Sequence, residues 1–262
     1  MQANPKGRGP FTSDAIYEGR LVVRQSLRGY RFSVDAYLLI WFACQGRTAA
    51  LCADLGAGSG VVGLGLLAAG VARRVVAFEA QPELARLAEE NASCNGLSDR
   101  YQLLALDVEE LPRRFPSGAF DLIVANPPFW PVSKGRLPGN LERRIACHEV
   151  LGGIDRWTAA ASAALDQRRG RLCMVYPARR LDSLILALGD AGLSATRLRL
   201  VHPISDGPAE LVLLEARRGK PGRLEVEPPV VLKESDGAET PLASAIVRGS
   251  FSDRIRALPD RR

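Results

Sequence analysis

Two periods of hydrophobicity alternate along the chain. Short apolar runs bounded by turn residues lie between stretches whose apolar positions recur three and four apart. Residues 49–55, 74–79, 101–106, 120–125 and 171–176 read as strands. Helices are expected over 60–69, over 82–95 with Pro82 in its first turn, over 149–165, and over 180–191 closed by Gly192. Such alternation predicts a parallel sheet joined by right-handed crossovers. Two further strands, 195–201 and 210–217, are linked by His202-Pro203-Ile204-Ser205-Asp206-Gly207-Pro208. That link has turn chemistry and no room for a helix, so the pair is expected to be antiparallel. The count gives an α/β chain with a seven-stranded, mostly parallel sheet and one antiparallel strand.

The flanks follow other patterns. Residues 1 to about 13 are rich in glycine, proline and basic side chains, which favours a mobile arm. Leu21-Val22-Val23 and Arg28-Gly29-Tyr30-Arg31-Phe32 read as a short hairpin, followed by a helix over 34–45. After Gly219 there is one possible strand within 224–232, then glycine, serine and charge. The expected divisions are a flexible basic arm (1–18), a hairpin-helix preamble (19–48), a main domain (49–219) and a tail (220–262). No internal repeat or low-complexity tract stands out.

Composition narrows the class. Of 262 residues, 47% are hydrophobic, enough for a sizeable core, so disorder is excluded. The longest apolar stretches, 37–44 and 61–69, fall short of the ~20 residues a membrane helix needs, and no secretory pattern follows Met1. The expectation is a cytoplasmic protein without membrane contact. Lys plus Arg exceed Asp plus Glu by 35 to 29, a net +6 that suits a polyanionic partner. The five cysteines, Cys44, Cys52, Cys94, Cys147 and Cys173, are odd in number and never paired as C-x-x-C. They read as reduced, buried small hydrophobes, with neither disulfides nor a metal site. With two histidines, His148 and His202, catalysis has to come from other side chains.

The first main strand runs into Asp54-Leu55-Gly56-Ala57-Gly58-Ser59-Gly60 directly before a helix. Glycines at alternate positions permit a sharp turn and let a ligand approach the exposed N–H groups of the helix start. Glu79, about twenty residues on at the end of the second strand, is placed to accept from both hydroxyls of a ribose. Asp107, past the third strand, is placed for an adenine amino group. A G-x-G-x-x-G match (58–63) also raises a dinucleotide dehydrogenase. Two features favour S-adenosylmethionine instead: the antiparallel last strand pair, and Asp54 at the head of the turn. An acid there suits the methionine ammonium and would repel a pyrophosphate. Asp35, at a helix start, is either a cap or a lid residue over the cofactor.

The fourth strand ends in Val124-Ala125-Asn126-Pro127-Pro128-Phe129. Two successive prolines forbid helix and fix the local backbone, so an amide, a rigid carbonyl and an aromatic face stand together. This Asn-Pro-Pro-Phe sequence resembles the signature of amino methyltransferases, which methylate planar conjugated nitrogens of adenine, cytosine or glutamine. Such a nitrogen delocalises its lone pair and is a poor nucleophile. The resemblance implies that the Asn126 side-chain oxygen and the Pro127 carbonyl accept its two N–H bonds, which favours a pyramidal nitrogen. It also implies that Phe129 stacks on the base. No general base is needed in the reactive step, because the methylated amine is strongly acidic and sheds its proton afterwards.

The likeness extends to Arg28-Gly29-Tyr30-Arg31-Phe32-Ser33-Val34-Asp35-Ala36, to Arg144-Ile145-Ala146-Cys147-His148-Glu149 and to Leu224-Glu225-Val226-Glu227-Pro228-Pro229. These resemble the bacterial tRNA adenine-N6 methyltransferases that act beside the anticodon of a valine tRNA. The fold implied is the Rossmann-like class I methyltransferase, and the partner a tRNA with an unpaired anticodon-loop adenine. Two departures are visible: Phe129 replaces the commoner tyrosine, and Trp130 adds a second platform. Substrate contacts are expected from Pro128, Trp130, Lys134 and Arg136, with Arg8, Arg28, Arg143 and Arg144 as further basic candidates; the same run also reads as a solvated charged loop. His148, at a helix start, reads as structural. Alternatives are a protein glutamine methyltransferase acting on release factors, and a non-catalytic RNA-binding protein on the same fold.

Overall fold

The computed structural model describes residues 11–27, 31–128, 153–219 and 222–258. A hairpin, β1 (Phe11–Ile16) and β2 (Leu21–Ser26), precedes α1 (Val34–Cys44). Then come β3 (Ala49–Leu55), α2 (Val61–Ala68), β4 (Ala72–Phe78), α3 (Pro82–Cys94) and β5 (Tyr101–Leu104). A 3-10 turn (Val108–Glu110) and α4 (Leu111–Arg114) lead to β6 (Leu122–Ala125). Beyond it lie α5 (Ile154–Ala164), β7 (Arg171–Pro177), α6 (Leu181–Asp190), β8 (Leu193–Ile204) and β9 (Leu211–Arg218). Two short strands, β10 (Glu225–Val226) and β11 (Val230–Lys233), and two helices, α7 (Pro241–Arg248) and α8 (Asp253–Arg256), complete the described chain.

The main sheet runs β10-β8-β9-β7-β6-β3-β4-β5, with β11 also on β8. Only β9 is antiparallel to its neighbours β7 and β8. The seven strands of the sequence reading are therefore present, and β10 and β11 extend the sheet in parallel register with β8. Side chains alternate between two cores. Cys52, Val75, Ala77, Leu122, Val124 and Cys173 face α1, α2 and the hairpin. Ala53, Leu55, Val76, Phe78, Ile123 and Met174 face α5 and α6. Parallel strands buried on both faces are near-continuously apolar, as these are.

Two expectations at the flanks fail. The hairpin pairs Phe11 with Ser26 through Ile16 with Leu21, so its first strand falls inside the stretch read as a mobile arm, and Leu21-Val22-Val23 pairs with that upstream strand instead of with 28–32. Partners elsewhere hold it: Gln25 Nε2 donates to Asp14, Arg31 Nη2 to Asp14 at 2.8 Å, and the guanidinium groups of Arg24 and Arg86 lie over the Phe11 ring. The stretch past residue 234, read as glycine, serine and charge, folds back as α7 and α8. Ile246 and Ile255, 1% and 0% exposed, join the core beside α1 and α2.

A buried ion network ties the sheet to α1. Arg171, 2% exposed, donates to the carbonyls of Ala43 (2.9 Å) and Arg47 (2.8 Å) and lies 3.7 Å from Glu215, itself 1% exposed. Among the cysteines, Cys52 and Cys173 are buried as expected, but Cys94 is exposed on α3. Among the described residues no helix is long and apolar enough to cross a membrane, and no group of acidic, His or Cys side chains is arranged to hold a metal.

Candidate functional site

The register of three strands assembles the site. Leu55 at the end of β3 lies opposite Phe78 of β4 on one side and Ala125 of β6 on the other. The glycine turn, Glu79 and Asn126 therefore leave the sheet at the same edge, on strands about 4.8 Å apart. This is the carboxyl edge of a parallel sheet, beside the point where strand order reverses, where open α/β sheets bind ligands.

Gly56, Gly58 and Gly60 all take positive φ, +65°, +56° and +85°, a conformation that costs any residue with a Cβ about 1–2 kcal/mol. Contact adds a second reason. A Cβ on Gly56 would lie 2.5 Å from Trp157 of α5, and one on Gly60 2.9 Å from the Tyr101 hydroxyl. The turn is held from outside as well. Ala57 N–H donates to the Phe78 carbonyl at 2.9 Å, and Asn91 Nδ2 donates to the Ser59 carbonyl at 2.9 Å.

Glu79 clamps the turn. Its Oε2 accepts from Gly58 N–H at 2.8 Å and its Oε1 from Gln81 N–H at 2.9 Å. Burial raises its pKa, opposed by the N–H groups of Gln81, Gly58 and Ala80. Asp54, 2% exposed, sits beneath the turn, and its Oδ2 accepts from Gly63 N–H in the first turn of α2 at 2.8 Å. Burial pushes its pKa up to about 7, with the Gly63 N–H opposing and the Glu79 charge adding to the rise. Two desolvated acids at one turn form an electronegative seat, which fits a ligand carrying hydroxyl donors and a positive charge.

Asp107 caps the 3-10 turn by accepting from Glu109 N–H at 3.0 Å, and it pairs with Arg156 of α5. The sequence reading placed it for an adenine amino group; in the structure its carboxylate already holds Arg156. Asn126 is half-buried, Pro127 buried and Pro128 half-buried at the end of β6. Asp35 lies in the first turn of α1, where burial raises its pKa and the Ser33 hydroxyl and its own N–H oppose the rise. It faces a cavity shared with Pro177 and Arg179. Phe129, Trp130, Lys134 and Arg136 lie outside the described residues, as do Arg8, Arg28, Arg143, Arg144, Cys147 and His148.

Several residues that build the site escape a motif reading. Asn91 and Asn95, one helical turn apart, are buried amides that bridge hairpin and turn: Asn91 accepts from Arg24 N–H at 2.8 Å, and Asn95 from Val22 N–H at 3.0 Å. Two asparagines at i and i+4 within an otherwise apolar stripe were the available signal. Tyr101, Arg156 and Trp157 carry none, because their roles depend on which helix packs over which strand.

The known proteins that the chain is similar to are methyltransferases. The family described as "Methyltransferase small domain" matches residues 37–137. A protein of Porphyromonas gingivalis named "tRNA1(Val) (adenine(37)-N6)-methyltransferase" is 30% identical over 203 residues, covering 76% of this chain and 78% of that protein. A "Release factor glutamine methyltransferase" of Deinococcus radiodurans is 34% identical over 148 residues, covering 54% of this chain and 51% of that protein. Among solved structures, a predicted O-methyltransferase from Agrobacterium tumefaciens superimposes with a TM-score of 0.64 at 25% identity, over 83% of this chain and 97% of that one.

Proposed function

The chain belongs to the family of tRNA1(Val) (adenine(37)-N6)-methyltransferases, and as an S-adenosylmethionine-dependent adenine-N6 methyltransferase of tRNA it unites a methyl donor with a planar amine; we propose that this happens between the glycine turn after β3 and Asn126-Pro127 after β6. One observation carries the reading: Leu55 and Ala125 are directly paired, so donor seat and amine acceptors share one edge of the sheet.

The donor seat fits the cofactor. The positive φ values of the glycines set the shape of the turn, and Glu79 keeps acceptor capacity beyond its two backbone bonds, since a carboxylate has about four lone-pair positions. Glu79 holds the ribose hydroxyls, Asp107 the adenine side, and Asp54 supports the ammonium end through its negative charge. S-adenosylmethionine, when bound, supplies an electrophilic methyl group on a sulfonium.

The amine side is the work of the Asn-Pro-Pro segment. The side-chain oxygen of Asn126 and the carbonyl of Pro127 accept the two N–H bonds of the exocyclic nitrogen, drawing its lone pair out of the ring. Pro128 keeps the segment rigid. Phe129 and Trp130 offer faces for the base, and Lys134 and Arg136 attract phosphates. The target is an adenine in the anticodon loop, because an unpaired base is cheap to extrude. Once the nitrogen is methylated its excess proton leaves to solvent, so the scarcity of histidines is no obstacle.

The test is product identity. The enzyme and labelled S-adenosylmethionine are incubated with total RNA and, separately, with a release-factor preparation, then each is digested. N6-methyladenosine confined to one tRNA is the expected label. Label in methylglutamine would move the same mechanism to a protein substrate and overturn the assignment.

A further inference from the structure

Further along the sheet edge at which Asn126 leaves β6, the cavity that Asp35 faces has a volume of roughly 580 Å³, within the few-hundred to thousand Å³ range of small-ligand sites. It sits where β7, β9, β8 and β11 end: Pro177 is opposite Leu211, Leu211 opposite Val201, and Val201 opposite Val230. Strand spacing places it on the order of 5–15 Å along the edge from β6. Its apolar floor includes Leu211 and Pro203, Ala209 forms part of the wall, and Asp35, Arg179 and Glu210 supply the polar groups. Nothing in the methyl-transfer geometry uses this space.

We propose that this cavity receives the nucleoside adjacent to the target adenine on the same RNA strand. The proposal rests on the reading of the chain as a tRNA adenine methyltransferase. Three features select a nucleoside. The apolar floor suits the face of a base, and the two carboxylates accept from the 2′-hydroxyl and from base N–H groups. The same carboxylates disfavour a phosphate inside, leaving Arg179, exposed beside the cavity, to meet the backbone phosphate. Continuity with the Asn-Pro-Pro edge commits the occupant to the substrate strand, because extruding the adenine carries its neighbour to this distance.

The experiment measures kcat/KM on a tRNA anticodon stem-loop that is intact, or abasic at the residue on either side of the methylated adenine. With the parent enzyme, one abasic neighbour is expected to cost about ten-fold and the other little. Ala209→Trp fills the cavity from the 205–210 loop, outside the strands. It is expected to cost about ten-fold on intact RNA through KM, with no further loss on the abasic RNA, because both remove one contact. Calorimetric binding of S-adenosylmethionine by the variant reports that its fold is intact. Arg179→Ala should lower the salt dependence of RNA affinity by about one phosphate contact. Equal rates on all three RNAs with the parent enzyme, or compounded losses of about a hundred-fold for Ala209→Trp on abasic RNA, would overturn the proposal. Parent enzyme that labels glutamine and no RNA defeats the functional reading itself, and is recognised before any variant is made.

Discussion

Asp54→Asn isolates the cost of holding a buried acid beneath the glycine turn. The side chain is 2% exposed and titrates near 7 in place of 3.8, with burial as the main cause. An acid whose pKa is higher in the folded state carries an extra proton there, so stability is full at low pH and falls as pH rises from about 4 through about 7. A displacement of this size is worth about 4 kcal/mol once complete, of which somewhat more than half accrues between pH 5 and pH 8. Asparagine keeps the shape and an acceptor for Gly63 N–H but cannot ionise. Urea unfolding of parent and D54N, without cofactor, at several pH values across that range should show the variant gaining on the parent by roughly 2 to 3 kcal/mol as pH rises. Any constant penalty from burying the new amide shifts the whole curve and leaves its slope alone. Glu79 is present in both proteins, so only its repulsion of Asp54, already part of the rise at Asp54, survives in the difference. Parallel stability profiles would refute the reasoning.

Four further substitutions probe other parts. Asn126→Ala should lower kcat by about 10²–10³ with cofactor affinity retained, whereas Glu79→Ala should weaken cofactor binding first; equal loss of cofactor binding in both would make Asn126 architectural. Gly56→Ala combines a φ of +65° with a 2.5 Å approach to Trp157, so thermal unfolding should show a loss of about 1–3 kcal/mol, and unchanged stability would contradict that close approach. Arg171→Ala leaves the carbonyls of Ala43 and Arg47 without their buried donor, while Glu215 keeps Arg197 and Arg217, and should cost about 2–4 kcal/mol in denaturant; a loss below about 1 kcal/mol would show those two bonds to be dispensable.

How far the sequence could be read depended on where the stabilising contacts lie. Residues 49–55 were bounded correctly as a strand because apolar residues run between polar flanks and end at a glycine turn, all local signals. The antiparallel pairing of β8 with β9 was legible from the turn chemistry of 202–208. β1 was not, since Phe11–Ile16 is a strand only by virtue of Gln25, Arg24, Arg31 and Arg86 around it. α7 did carry a local signature: Thr240 caps it by accepting from Ala243 N–H at 3.1 Å, Pro241 opens it and Gly249 closes it with φ +75°. Composition hid that signature among polar neighbours. At the site, the glycines, Glu79 and Asn126 were visible as motif chemistry. The support beneath them was not: Tyr101 reaches the turn from the far strand β5, and its hydroxyl is buried without a hydrogen-bond partner among the described residues.

The meeting of distant segments around the hairpin sets a timetable for synthesis. Arg20 donates to the Arg256 carbonyl across 236 positions, and Tyr17 packs edge-on against Phe251. Through Asn91 the same hairpin connects to the Ser59 carbonyl of the glycine turn. A ribosome adding about 5–20 residues per second needs on the order of 10–50 s between making the hairpin and making the segment that covers it. A two-stranded hairpin is too small to be stable alone, and during that interval it has α1, α2 and α3 to rest on but lacks the cover over Tyr17. A nascent chain halted before residue 249 would have every glycine of the turn in place and would lack the packing that closes over Tyr17. Cofactor binding on stalled chains of increasing length should therefore rise late, after α8 has emerged, and not when β6 is complete.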